Sequence, residues 1–212
     1  NQTLDIDNIV ELDHLSSNYI SRVLRLSIND TINLFNGHSP LGEYLARIIQ
    51  VSKKKVSIQI LKFNKKDIES PLKINLLQGI SRGDRMDYTI QKSVELGIHA
   101  IFPLVLERTN VKLGDQKRQE KKISHWQGIA QSAVQQSGRT AMVMVNSPDT
   151  IDCINTIKAD LKLLPDPTAT LSLSDLIKQT TPLNKPKNIN VLIGPEGGIA
   201  EKELNYAKSI GY

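Results

Sequence analysis

At 212 residues the chain can bury one large core or two smaller ones, and its 39% hydrophobic and 23% charged residues exclude a disordered or fibrous class. No apolar run approaches the ~18 residues of a membrane span, no signal-peptide pattern opens the sequence, and Cys153, the single cysteine, rules out an internal disulfide and favours a reducing, cytoplasmic setting. The net charge of +5 points to a polyanionic partner, and the scattered His14, His38, His99 and His125 lack the spacing of a metal site.

Because the sequence begins at Asn1 rather than at methionine, a further N-terminal segment is expected. Residues 13–26 (DHLSSNYISRVLRL) place Leu15, Tyr19, Ile20, Val23 and Leu24 on one face of a helix, with Asp13 as its N-cap. The runs 31–37, 42–51 and 55–63 are β-branched, partly alternating and divided by Asn-Gly and Lys-rich turns, so they predict the strands of a compact barrel. The polar, proline-ended stretch 64–71 reads as a linker, which sets the first domain at 1–66 and the second at 72–212.

From residue 72 strands and helices alternate. Strands are expected at 72–79, 100–107, 141–145, 161–165 and 190–194, and helices at 82–97, 116–137, 148–158, 172–180 and 200–210. The stripe of the long helix is Ile123, Trp126, Ile129, Ala130, Ala133 and Val134, so Trp126 reads as packing, as does Tyr88. Such alternation predicts an α/β fold with a mainly parallel sheet covered by helices.

The strand 190–194 runs into Gly194-Pro195-Glu196-Gly197-Gly198, at the carboxyl end where open α/β sheets bind ligands. The glycines allow close backbone approach, and Pro195 stiffens the turn. It has neither the lysine and hydroxyl of a P-loop nor the G-x-G-x-x-G of a dinucleotide site, and Glu196, Glu201 and Glu203 would repel a pyrophosphate. On the residues alone two readings stand: a pocket for a neutral or cationic small ligand, or a tight turn before a charged helix.

Taken together, the stretches 35–48, 78–113, 125–139 and LIGPEGGIAEKEL resemble, in order, the SPOUT-class methyltransferases that modify N3 of a uracil in 16S ribosomal RNA. That resemblance implies a PUA-like β-barrel that docks RNA, an α/β domain with a trefoil knot, S-adenosylmethionine as cofactor with no metal, and a homodimer. It also implies a further strand and glycine-arginine loop beyond residue 212, completing the knot and the pocket. At 135–136 the family has Glu-Gln, whereas Gln135-Gln136 stand here, so no acid chemistry is assigned to position 135.

The expected cofactor site is Leu164, Pro165, Leu192, Ile193, Gly194, Pro195, Glu196, Gly197 and Gly198. Arg82 and Arg85, three apart after the first strand of the second domain, are the candidates for stabilising an imide anion on the base, with Arg139 behind them and Glu196 as a proton acceptor or cofactor-orienting group. Arg22, Arg25, Arg108 and Lys112 are the expected RNA contacts. Between 78 and 139 ten Lys and Arg face six Asp and Glu, so most of the basic excess falls beside the proposed site; the run 115–122 (DQKRQEKK) reads as a solvated helical face. Two rival functions are an α/β enzyme using a nucleotide cofactor and a catalytically silent RNA-binding protein.

Overall fold

Alternating apolar residues build four antiparallel strands in the N-terminal part of the computed structural model, which describes residues 4–52, 55–111, 114–166, 168–179 and 185–212. These are β1 (Ile9–Glu11), β2 (Thr31–Leu34), β3 (Gly42–Val51) and β4 (Val56–Lys65), in the order β1-β4-β3-β2. Ala46 pairs with Ile60 and Ile48 with Ile58, and these fully buried residues, with Val10, Ile20, Tyr44 and Val56, form the core of this unit. Burying each such isoleucine contributes roughly 1.5–3 kcal/mol. Arg139–Met142 join Asn1–Ile68 in this unit: Ala141 bridges Gly37, and the Thr140 hydroxyl donates to the Lys66 carbonyl at 2.8 Å. The lysine turn at Lys53 and Lys54 lies outside the described residues.

The helix expected over 13–26 is shorter and differently wound. Asp13 caps it as expected, accepting from the Ser16 N–H at 2.9 Å, but α1 covers only His14–Asn18. A π-helical turn follows over Tyr19–Val23, closed by Leu24 N–H to the Tyr19 carbonyl, and Arg25 then turns left-handed at φ 54°. The wider turn breaks the 3.6-residue stripe. Of the five predicted face residues only Ile20 is buried, while Leu15, Tyr19, Val23 and Leu24 are exposed.

The second unit, Glu69–Gly138 with Val143–Tyr212, is α/β. Its elements are β5 (Lys73–Gly79), α2 (Asp84–Glu95), β6 (Ala100–Leu104), α3 (Gln116–Ser137), β7 (Met144–Val145), β8 (Leu161–Leu163), α4 (Leu173–Gln179), β9 (Asn188–Ile193) and α5 (Glu201–Ser209). All five strands are parallel, in the order β7-β6-β5-β9-β8. The central β5 is flanked by strands on both sides, so Asn75 to Gly79 are buried. Trp126, Ala130, Ala133 and Val134 of the predicted α3 stripe are buried, with Ile123 and Ile129 half-buried.

The helix expected at 148–158 shrinks to a 3-10 turn over Ile151–Asn155. Asp149 holds the sheet edge through Val105 N–H to its carbonyl and its own N–H to Pro103, so no helix can begin before Thr150. Strand β6 likewise stops early, because Thr109 Oγ1 accepts the Leu106 N–H and closes a turn. Among the described residues no helix is long and apolar enough to cross a membrane, and no group of three or more metal-ligating side chains occurs.

Candidate functional site

Strand register lines up the carboxyl edge. Gln78 pairs with Ile193, Gly79 with Leu104, and Leu163 with Val191, so Gly79, Gly194 and Leu164 finish neighbouring strands. The chain leaves β5 toward β6 on one side and reaches β9 from β8 on the other. The gap between β5 and β9 is therefore the topological switch point of the sheet, where open α/β folds bind ligands.

The backbone approach there is close. A Cβ on Gly79 would lie 2.5 Å from Pro195 Cδ and 2.6 Å from Pro195 N, so no larger residue fits while the turn keeps its place. The turn closes with Gly198 N–H to the Pro195 carbonyl at 2.9 Å, and Gly198 has φ +75°. A Cβ on Gly194 would meet Ile199 Cγ1 at 2.8 Å, so the turn also doubles back on itself. Gln78, buried at the end of β5, donates its amide to the carbonyls of Gly79 (2.8 Å) and Gly194 (3.4 Å).

Glu196 reaches out of the turn to the loop after β5. Its Oε1 accepts the Arg82 N–H at 3.1 Å and lies 3.3 Å from Arg85 Nη1. Its own backbone N–H and that of Arg82, with the Arg85 guanidinium beside them, hold its pKa below the usual glutamate range. Arg82 and Arg85 do not share a helical face. Gly83, at φ 52° and ψ −131°, is the N-cap of α2, so Arg82 precedes the helix and Glu196 joins the two arginines instead. Asp87, in the first turn of α2, meets His125 at 2.8 Å.

Glu203 is also engaged. Glu203 accepts the Ala200 N–H at 3.1 Å and the Glu107 N–H at 2.8 Å, tying α5 to the loop after β6. Glu196 and Glu203 are thus satisfied from within. What the edge offers a ligand is main chain at Ile193 to Gly198 beside half-buried Leu164 and Ile199.

Arg82, Arg85, Glu196 and Arg108 meet at the turn, where Arg108 donates to the Gly197 carbonyl at 3.2 Å. Leu192 is fully buried and Pro195 is buried, so these two can face a ligand only through their backbone, while Pro165 is exposed. Arg22, Arg25 and Arg139 belong to the N-terminal unit; the first two are exposed and Arg139 is buried. Lys112 lies outside the described residues. Trp126 packs as expected, but Tyr88 is 63% exposed, with Lys92 Nζ 5.8 Å from its ring centroid, and does not serve the core. Sequence reasoning missed Gln78, a polar residue near the end of β5, and the capping role of Glu203, three residues after the N-cap Ala200. Both patterns were visible.

Two families match the chain: an RNA methyltransferase domain over residues 68–212 and an RNA methyltransferase PUA domain over residues 16–61. The chain belongs to this family of two-part RNA methyltransferases. Its relatives include the ribosomal RNA small subunit methyltransferase E of Buchnera aphidicola (from Acyrthosiphon pisum), 34% identical over 99% of this chain and 80% of the relative. The protein of that name from Bacillus subtilis is 29% identical over 88% of this chain and 73% of its own length. A Legionella pneumophila protein described as a methyltransferase, solved with SAM bound, superposes with a TM-score of 0.90 at 33% identity, covering 99% of this chain and 84% of its own. The Neisseria gonorrhoeae ribosomal RNA small subunit methyltransferase E bound to S-adenosyl methionine gives 0.85 at 33% identity, with 99% and 83% covered.

Proposed function

We propose that this chain transfers the methyl group of S-adenosylmethionine to N3 of a uridine in 16S ribosomal RNA. The observation that carries this reading is the glycine turn at the β5–β9 switch point, joined through Glu196 to Arg82 and Arg85, in a chain of the RNA methyltransferase family. An adenosine-bearing ligand suits the edge. Gly194, Gly197 and Gly198 keep the main chain bare, Leu164 and Ile193 supply apolar surface, and no lysine bonds to the turn among the described residues. In this reading backbone at Leu164, Pro165 and Leu192 to Gly198 holds the cofactor. The domains are a PUA-like barrel over 1–66, contacting RNA through Arg22 and Arg25, and a knotted methyltransferase domain over 72–212 that adds Lys112. The active form is a homodimer.

When bound, S-adenosylmethionine supplies a methyl group already activated by its sulfonium. The chain's own contribution is alignment, which can offset roughly 7–11 kcal/mol of barrier, and stabilisation of the imide anion left when uracil N3 loses its proton. Arg82 and Arg85 are the groups for that anion, and a base paired within the subunit must be splayed out to reach them. Glu196 is a positioning residue in this scheme. A carboxylate made more acidic than usual is a poor acceptor for the N3 proton, whereas its bonds to Arg82 and Arg85 set the arginines beside the turn. Arg108, bonded to Gly197, holds the turn from its other side.

Calorimetry with S-adenosylmethionine, ATP and NAD on the wild type and Gly198→Val tests the pocket. The wild type should bind only the methyl donor, and valine, strained at φ +75°, should abolish that binding while leaving RNA affinity intact. Tight nucleotide binding with no donor binding would favour the nucleotide-enzyme alternative. RNA binding without methyl transfer would favour the silent RNA-binding one.

A further inference from the structure

The charged start of α3 buries none of its side chains. Helices that connect parallel strands begin at the carboxyl edge, so α2 and α3 both start on the side of the glycine turn. His125 Nε2 lies 2.8 Å from Asp87 Oδ2, which sets His125 level with the first turn of α2. Lys122 is then level with Asp84, the first residue of α2, and Gln116–Lys121 reach about 9 Å beyond it at 1.5 Å per residue. Burial agrees, since no residue of α3 before Trp126 is buried.

The projecting segment carries charge of the wrong sign for its place. A helix N-terminus favours acidic residues, yet the first turn of α3 has none. Asp115 caps the helix, accepting the Arg118 N–H at 2.9 Å, and Glu120 accepts from Gln116 at 3.1 Å. Lys117, Arg118 and Lys121 are exposed, and among the described residues no carboxylate pairs with them. Lys117 and Arg118 in the first turn oppose the helix dipole, and with Lys121 a turn further on they lack a pairing carboxylate among the described residues; such breaks of a local rule mark functional surface.

We infer that Gln116–Lys121 is a basic spur that grips the phosphate backbone of the RNA whose base enters at the carboxyl edge, with Lys117, Arg118 and Lys121 each neutralising phosphate. This rests on the proposed action on RNA, and it adds a second grip on the catalytic unit itself. The spur reads charge and not sequence.

The test compares the full chain with Lys117→Gln/Arg118→Gln/Lys121→Gln, and with Lys73→Gln/Lys158→Gln/Lys187→Gln. The second triple removes the same charge at the amino edge, where these exposed lysines precede or open β5, β8 and β9. Binding of fluorescent oligouridylate is followed by anisotropy over a salt series, and donor binding by calorimetry. The spur triple should bind RNA about tenfold or more weakly at low salt, with a log–log salt slope shallower by about 2, at roughly 0.7 per phosphate contact. The amino-edge triple should stay within about one unit of the wild-type slope. Both should keep donor affinity and melt no lower than the wild type; if the spur triple fails to fold, single substitutions, each moving the slope by about 0.7, decide the matter. Equal slopes for the two triples, or loss of donor affinity in the spur triple, would overturn the inference. A wild type that binds no methyl donor would instead sink the proposed function, while the slope comparison would still decide the spur.

Discussion

Replacing Gly79 by alanine puts one methyl group where β5 and the glycine turn touch. The new Cβ would sit 2.5 Å from Pro195 Cδ and 2.6 Å from Pro195 N, and ordinary contact begins at 3.4 Å, so the turn must retreat by about 0.9 Å. Most of the contacted atoms belong to a proline ring and backbone, which cannot swing aside as a long side chain would. Overpacking of this kind costs about 1–3 kcal/mol, while the loss of unfolded-state freedom on replacing glycine returns only about 0.4–1 kcal/mol, so overpacking wins. A net loss of about 1–2 kcal/mol lowers Tm by a few degrees in a domain of this size. The larger effect should fall on catalysis, because a displacement near 1 Å can cost about a hundredfold in rate. Thermal unfolding, donor calorimetry and single-turnover methylation read the three quantities. Gly128→Ala is the control: it lies in α3 with nothing within 4 Å of its added Cβ, and should raise stability by about 0.5–1 kcal/mol with unchanged rate. A Gly79→Ala protein with wild-type stability, donor affinity and rate would refute the claim that this contact shapes the pocket.

Other substitutions probe the same unit. Asn190→Ala should cost about 2–4 kcal/mol in urea unfolding, because fully buried Asn190 accepts from Asn75 at 2.9 Å and donates to the Ile157 carbonyl at 2.8 Å, and both partners would be orphaned. Glu196→Gln keeps an acceptor for Arg82 but removes the charge facing Arg85. Methylation should slow without a change in the shape of its pH–rate profile, and disappearance of an ascending limb would restore Glu196 as the base. Since its folded pKa is depressed, what Glu196 adds to stability is present above the ordinary glutamate pKa and lost as pH falls through the lower folded value. Cys153 is pushed up to about 11, chiefly by burial and further by Asp149 and Asp152, so it should resist thiol reagents near neutral pH until the chain unfolds. The unfolded thiol ionises first, from about 9.0, so stability should decline between there and about 11.

Much of the architecture could be read from periodicity. The runs at 42–51 and 55–63 became β3 and β4 within two residues, and the strand–helix alternation from 72 onward became a parallel sheet. What could not be read is what depends on separations of about a hundred residues. Nothing local says that β9 inserts beside β5, and only that insertion brings Glu196 to Arg82, 114 positions away. The same insertion brings Arg108, an expected RNA contact, within hydrogen-bond distance of the Gly197 carbonyl. The π-helical turn at Tyr19–Val23 escaped for a different reason. Its residues satisfy a 3.6-residue stripe on paper, and only the Leu24 to Tyr19 hydrogen bond reveals the wider winding. The acidic character of the turn misled in one respect, because composition cannot distinguish a free carboxylate from one that caps a helix, as Glu203 does.

The most direct measurement is nucleoside mass spectrometry of 16S ribosomal RNA after undermethylated small subunits are incubated with this chain and isotopically labelled S-adenosylmethionine. One labelled 3-methyluridine per subunit is expected, lost with Arg82→Ala/Arg85→Ala while donor binding persists. Label on another atom or base, or none from a protein that binds the donor normally, would contradict the proposed function.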